Sequence, residues 1–140
     1  MIIDGTLKLS AKQNVTTTVV SENTIDRGAD AGRLFGEREN IAAVLNVGTV
    51  KANDEASVTV SIETSADNAT WNVVHTGYKV LGSNFVPGAI ILEAFPFSAF
   101  SADRYVRLKY VVVGSASLVV DAFVCEDATP FVDHDFKTKA

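Results

Sequence analysis

Between Arg104 and Cys125 two apolar runs alternate at every second residue, a period that fixes β-strands and leaves few other folds open. In the first run Val106, Leu108, Tyr110 and Val112 share one face, while Tyr105, Arg107 and Lys109 share the other. Gly114-Ser115-Ala116 follows, a short turn of the kind that joins antiparallel neighbours, so the stretch is expected to form one β-hairpin. Its second arm, Ser117 to Cys125, is too apolar for a strand with one wet face. Leu118, Val120, Ala122 and Val124 fill one side, and Val119 and Phe123 flank Asp121 on the other. One face serves a core. The surplus is available for a second contact.

Strand signals recur along the rest of the chain, and long helical periodicity is scarce. Val15 to Val20 is a β-branched run ending at the polar cluster Ser21-Glu22-Asn23. Asp26 to Glu39 carries Gly28, Gly32 and Gly36 among charges and reads as an ordered loop. Ile41 to Val47 is the next candidate strand. Ala56 to Glu63 alternates most cleanly, with Ala56, Val58, Val60 and Ile62 inward and Ser57, Thr59, Ser61 and Glu63 outward. Beyond the connection Ser65 to Ala69, Trp71 to Thr76 reads as a strand that Tyr78 to Leu81 extends or pairs. Ala89 to Phe97, interrupted by Glu93 and Pro96, suits a sheet edge, since proline cannot donate a ladder hydrogen bond.

Seven or eight short strands with polar turns and no amphipathic helix predict an all-β fold, an antiparallel β-sandwich with short terminal arms. A jelly roll closes two sheets over such a core. An immunoglobulin-like order explains the same string, and periodicity alone does not order the strands. Residues 1–14 are expected to be an N-terminal arm or first strand, 15–126 the sandwich domain and 127–140 a C-terminal tail. That tail spaces Phe131 and Phe136 among charges, as a frayed end does or as a segment that orders against a partner does.

At 140 residues the chain is long enough for one domain with a sizeable core. Hydrophobic residues at 47% against 21% charged exclude wholesale disorder. A formal charge of −5 argues against nucleic acid, which needs a concentrated basic face. Cys125 is the only cysteine, so no internal disulfide is expected, and its place at the end of an apolar strand suits a buried small hydrophobe. No signal peptide is evident, and no apolar run approaches the roughly 18 residues of a membrane span.

The search for chemistry yields little. His75 and His134 are the only histidines; His134 lies between Asp133 and Asp135, but one imidazole and two carboxylates make a poor ion cage. The pairs Asp54/Glu55 and Glu126/Asp127 flank turns where acidic residues are simply solvated. Glu93, inside Ile-Ile-Leu-Glu-Ala-Phe, would act as a general acid if buried, and otherwise sits on a wet strand face. No nucleophile elbow, phosphate loop or zinc-protease motif is present. No enzymatic activity, cofactor, metal or small-molecule substrate is therefore expected. Trp71 is either a core anchor or a ring platform for sugar. Arg104, Arg107 and Lys109 beside Tyr105 form a basic, aromatic strand face of the composition that interfaces favour.

Met1-Ile-Ile-Asp4, the segment Ser21 to Gly28 and the stretch Asp103-Arg-Tyr-Val-Arg-Leu-Lys-Tyr110 resemble the Bbp16-type capsid cement proteins of tailed phages, in size and in segment order. The tail after Asp127 is longer than that resemblance leads one to expect. The resemblance implies a jelly-roll decoration protein on the outer surface of the virion capsid, assembled in the host cytoplasm. It would bridge neighbouring major capsid subunits of the HK97-like fold, as a homo-oligomer, dimer or trimer, on a local symmetry axis. Candidate contact residues are Tyr105, Arg107, Lys109, Phe123, Phe131 and Phe136. The alternatives are a carbohydrate-binding sandwich using Trp71 and Tyr78, and a tail or baseplate component with the same fold.

Overall fold

The computed structural model describes residues 8–26, 42–84, 90–94 and 103–125. These form β1 (Lys8–Val15), β2 (Val19–Val20), β3 (Ile25–Asp26), β4 (Ala42–Ala52), β5 (Ser57–Ser65), β6 (Asn72–Leu81), β7 (Ile90–Ala94), β8 (Tyr105–Val113) and β9 (Ala116–Cys125). Two antiparallel sheets result. The first runs β1-β9-β4-β7 and the second β2-β8-β5-β6, with β3 following β2 along the edge of β8. Taking β2 and β3 as one interrupted strand gives eight strands in the order of a jelly roll.

That order overturns the expected hairpin. β8 pairs with β2, β3 and β5, whereas β9 pairs with β1 and β4 in the opposite sheet. The Gly114-Ser115 turn is thus an arch across the core. The apolar faces of its two arms are opposed across the interior rather than lying side by side. Alternation decides which face of a strand is apolar, but it is blind to this difference. Val15 to Val20 is likewise not one strand: β1 ends at Val15, and Thr16 to Thr18 carry the chain to the second sheet. Thr18 secures the crossing there, its Oγ1 accepting from Val112 N–H at 3.1 Å.

Between the sheets lie Leu9, Val15, Leu45, Val47, Leu118, Val120, Ala122 and Val124 from the first, and Ile25, Val58, Val60, Ile62, Val106, Leu108 and Tyr110 from the second. The inward sets expected for β5 and β9 are these residues, and for β8 only Val112 falls short of full burial. Each buried Val, Leu or Ile contributes roughly 1.5–3 kcal/mol. Both central strands of the first sheet carry apolar residues outward as well. Val44 on β4 and Phe123 on β9 face each other in register and are both buried.

β1, expected as arm or first strand, is one of the two edge strands of the first sheet. Its register on β9 shifts between Lys8 and Ser10 and again between Ser10 and Gln13, with Lys12 at φ 48°. Asp121 Oδ1 receives the Lys12 N–H at 3.0 Å in this irregular stretch. The shifts leave Ser10 and Gln13 buried, where they build a polar chain. Tyr110 O–H donates to Ser10 Oγ (2.7 Å), and Ser10 O–H donates to Gln13 Oε1 (2.6 Å). Gln13 Oε1 also accepts from Glu22 N–H (3.1 Å), while its Nε2 donates to Val20 O (2.8 Å). Burial pushes the Tyr110 phenol well above its ordinary pKa, so it stays a neutral donor.

Apart from the break between β2 and β3, of the connections between consecutive strands within the described residues only β5 to β6 stays in one sheet. Asp67 organises that turn. Its Oδ1 accepts from Ala69 N–H (2.9 Å), Thr70 N–H (2.8 Å) and Ser65 O–H (2.9 Å), while Asn68 takes φ 60°. The Thr70 and Ala69 amides, then Ser65, pull its pKa from 3.8 down to about 2. A depressed carboxylate stabilises the fold above its unfolded pKa and loses that contribution as pH falls through the folded value. Asp67→Ala is therefore expected to melt below the wild type at neutral pH. The gap should narrow between pH 3.8 and about 2. Parallel melting curves across that range would remove the turn's charge from the account.

Candidate interaction face on the second sheet

The outward residues of β8 meet those of β5 in register. Tyr105 lies opposite Ser65, Arg107 opposite Glu63, Lys109 opposite Ser61 and Val113 opposite Ser57. On the other side β6 places Val73 beside Glu63, Thr76 beside Ser61, Lys79 beside Thr59 and Leu81 beside Ser57. β5 therefore runs as a furrow of small polar residues between two strands with longer side chains. Glu63 sits in that furrow, and its side chain keeps only 5% of its exposure although it points away from the core.

A buried carboxylate needs counter-charge, and β8 supplies it. Arg107 Nε donates to Glu63 Oε2 at 2.7 Å, and Lys109 Nζ lies 3.7 Å from Oε1. The Arg107 guanidinium also lies 3.9 Å from the centroid of the Trp71 ring, a cation–π contact worth roughly 0.5–2 kcal/mol. Trp71 is thus outside the core cluster, contrary to the anchor expectation. As a sugar platform it is compromised too, because Arg107 occupies a ring face. Trp71 joins the site because the β5–β6 turn returns the chain beside Glu63.

Near Tyr105, Arg104 grips Asp26 through Nε (2.6 Å) and Nη2 (2.8 Å), and its guanidinium lies 5.2 Å from the Tyr105 ring. The expected basic cluster therefore exists but is partly neutralised, since Arg104, Arg107 and Lys109 each face a carboxylate. Apolar residues flank it along the face: Val73 beside Glu63 is 53% exposed, and Leu81 and Val113, on either side of Ser57 at the far end, are 41% and 58% exposed. Tyr78, on the outer strand β6, is 88% exposed.

Other candidate residues lie elsewhere. Phe123 is on the outer face of the first sheet and only 6% exposed, so its ring offers a partner almost nothing to grip. Phe131, Phe136 and His134 lie outside the described residues. Glu93, on β7, pairs with Ala43 of β4, and its side chain is outside what is described, as is that of Cys125. His75 is half-buried opposite Ile62. Among the described residues no three His, Cys, Asp or Glu side chains are placed to hold a metal ion. Glu63, Val73, Lys79, Leu81 and Val113 were not singled out from the sequence. Glu63 was legible as an outward residue, but nothing local marks it as the one that two cations of a distant strand would enclose.

No curated protein matches the chain. The Bbp16 family model matches residues 9–124, from the second residue of β1 to the penultimate residue of β9, and so takes in both sheets. The chain belongs to the Bbp16 family.

Proposed function

We propose that this protein is a capsid decoration protein of a tailed phage, which binds the outside of the mature shell and bridges neighbouring major capsid subunits. The observation that carries this reading is the match to the Bbp16 family along the whole sandwich. The outer face of β8, β5 and β6 supports it, pairing exposed Val73, Leu81 and Val113 with Tyr105 and Arg107. Such a mixture resembles an interface more than a solvated sheet.

The mechanism is linkage. A protein that binds the expanded lattice and not its precursor stabilises the expanded state, by about 2.7 kcal/mol per site at a hundred times its Kd. A modest contact of roughly 800 Å² per partner suffices when one homo-oligomer grips several subunits, because the later contacts are intramolecular. Cosedimentation with mature and immature capsids tests this. The protein is expected to pellet with mature shells only and to raise their disruption temperature. Pelleting with neither shell would sink the decoration reading.

A further inference from the structure

We propose that the outer face of β8, β5 and β6 docks on an acidic protein surface, one that sets carboxylates between apolar flanks. This rests on the decoration reading and adds the chemistry of the surface recognised. On this face Lys79, Arg107 and Lys109 stand against a single carboxylate, Glu63, a net of two positive charges. Arg104 and Asp26 cancel at the β3 edge. The chain as a whole carries −5. An acidic surface therefore repels this body in most orientations and attracts the one that presents the cationic sheet. The contrast selects the docking face as well as speeding encounter.

Arg107 is built to be the anchor. Its Nε is held by Glu63 at 2.7 Å, and Trp71 fixes the guanidinium plane from 3.9 Å away. Among the described residues its two Nη groups have no hydrogen-bond partner, and the side chain keeps 22% of its exposure, so they can donate to a second carboxylate. A planar group already fixed in place loses little further freedom on binding. Val73 lies beside it across Glu63, and Leu81 and Val113 lie at the far end of the face on either side of Ser57, so apolar residues flank the cations. Nucleic acid fits this face less well: two net charges spread over three strands do not match a dense phosphate backbone.

The test is cosedimentation with mature capsid shells at about 0.05 M and about 0.5 M salt, which screen exposed charges to different degrees. Thr76 and Lys79 are exposed, lie on this face and stand outside the Glu63 cluster, so changing them spares the fold. Thr76→Glu/Lys79→Glu is expected to weaken shell binding about tenfold at low salt, with the gap closing at high salt. Thr76→Lys is expected to tighten it. Equal pelleting of wild type and double variant at low salt would overturn the assignment of this face while leaving the decoration reading intact. No pelleting of the wild type with any shell would overturn both. Wild-type binding to duplex DNA that the double variant lacks would give the face to nucleic acid and overturn the proposal.

Discussion

Gly82→Ala should destabilise the fold by about 3 kcal/mol or more, lowering the melting temperature by roughly 10 °C for a chain of this size. Gly82 follows β6 and lies against the β4–β5 arch. A Cβ there would stand 2.0 Å from Asn53 O, 3.0 Å from Asn53 C and 3.1 Å from the Ala52 side chain. The first two are backbone atoms, which cannot swing aside as the end of a long side chain can. Asn53 is also committed: its N–H donates to Ser115 O at 3.1 Å and its carbonyl accepts from Ala56 N–H at 2.9 Å. Gly82 N–H donates to Ala56 O at 2.7 Å, so displacing the glycine also loses this bond.

Three connections therefore meet at one end of the sandwich: the β4–β5 arch, the β8–β9 arch and the chain leaving β6. Gly114, at φ 81° in the β8–β9 arch, has its own Cβ position 3.2 Å from Ala56 Cα. Gly48→Ala is the control, because among the described residues its Cβ would meet only Val119 O at an ordinary 3.7 Å. Differential scanning calorimetry on both variants decides the matter. Equal melting would mean that the arches shift to admit a methyl group and do not lock the sheets together.

How much of this was legible in the sequence depended on what alternation can encode. It assigns faces, so the inward residues of β5, β8 and β9 were readable from residue order alone. It does not assign neighbours. A jelly roll sends most consecutive strands to opposite sheets, so the Gly-Ser turn after β8 looked like a hairpin and is an arch. Residue order also makes the apolar second face of β9 look like surplus for a partner. Part of it is consumed within the chain, since Phe123 and Val44, in register on β9 and β4, are both buried. β1 was ambiguous for a physical reason. Two register shifts break its period, and two of its inward residues, Ser10 and Gln13, are polar. At the candidate site Arg107 and Lys109 were placed on the correct face. Their partner was not legible, because Glu63 meets Arg107 through a pairing of strands 44 residues apart.

Tyr110→Ala is expected to cost about 3–5 kcal/mol, the usual range for emptying a fully buried aromatic site. Among the described residues Tyr110 is the largest side chain buried below 2% exposure, so removing its ring leaves a large void. Tyr110→Phe separates the ring from the hydroxyl. It keeps the packing and removes only the donor to Ser10 Oγ, for a loss of roughly 1–3 kcal/mol. The hydroxyl matters because its bond joins β8 in the second sheet to β1 in the first. From Ser10 the chain continues through Gln13 to the backbone of Val20 and Glu22. This polar chain also opposes slippage of β1. A regular register would carry Ser10 or Gln13 out of reach of those partners and leave buried polar groups unpaired. Members of such a chain do not act independently, so Ser10→Ala should cost less in Tyr110→Phe than in the wild type. Urea unfolding of the four proteins of that cycle measures the coupling. Strict additivity would show that the hydroxyls merely fill space and that the apolar residues Leu9 and Val15 hold β1 in place.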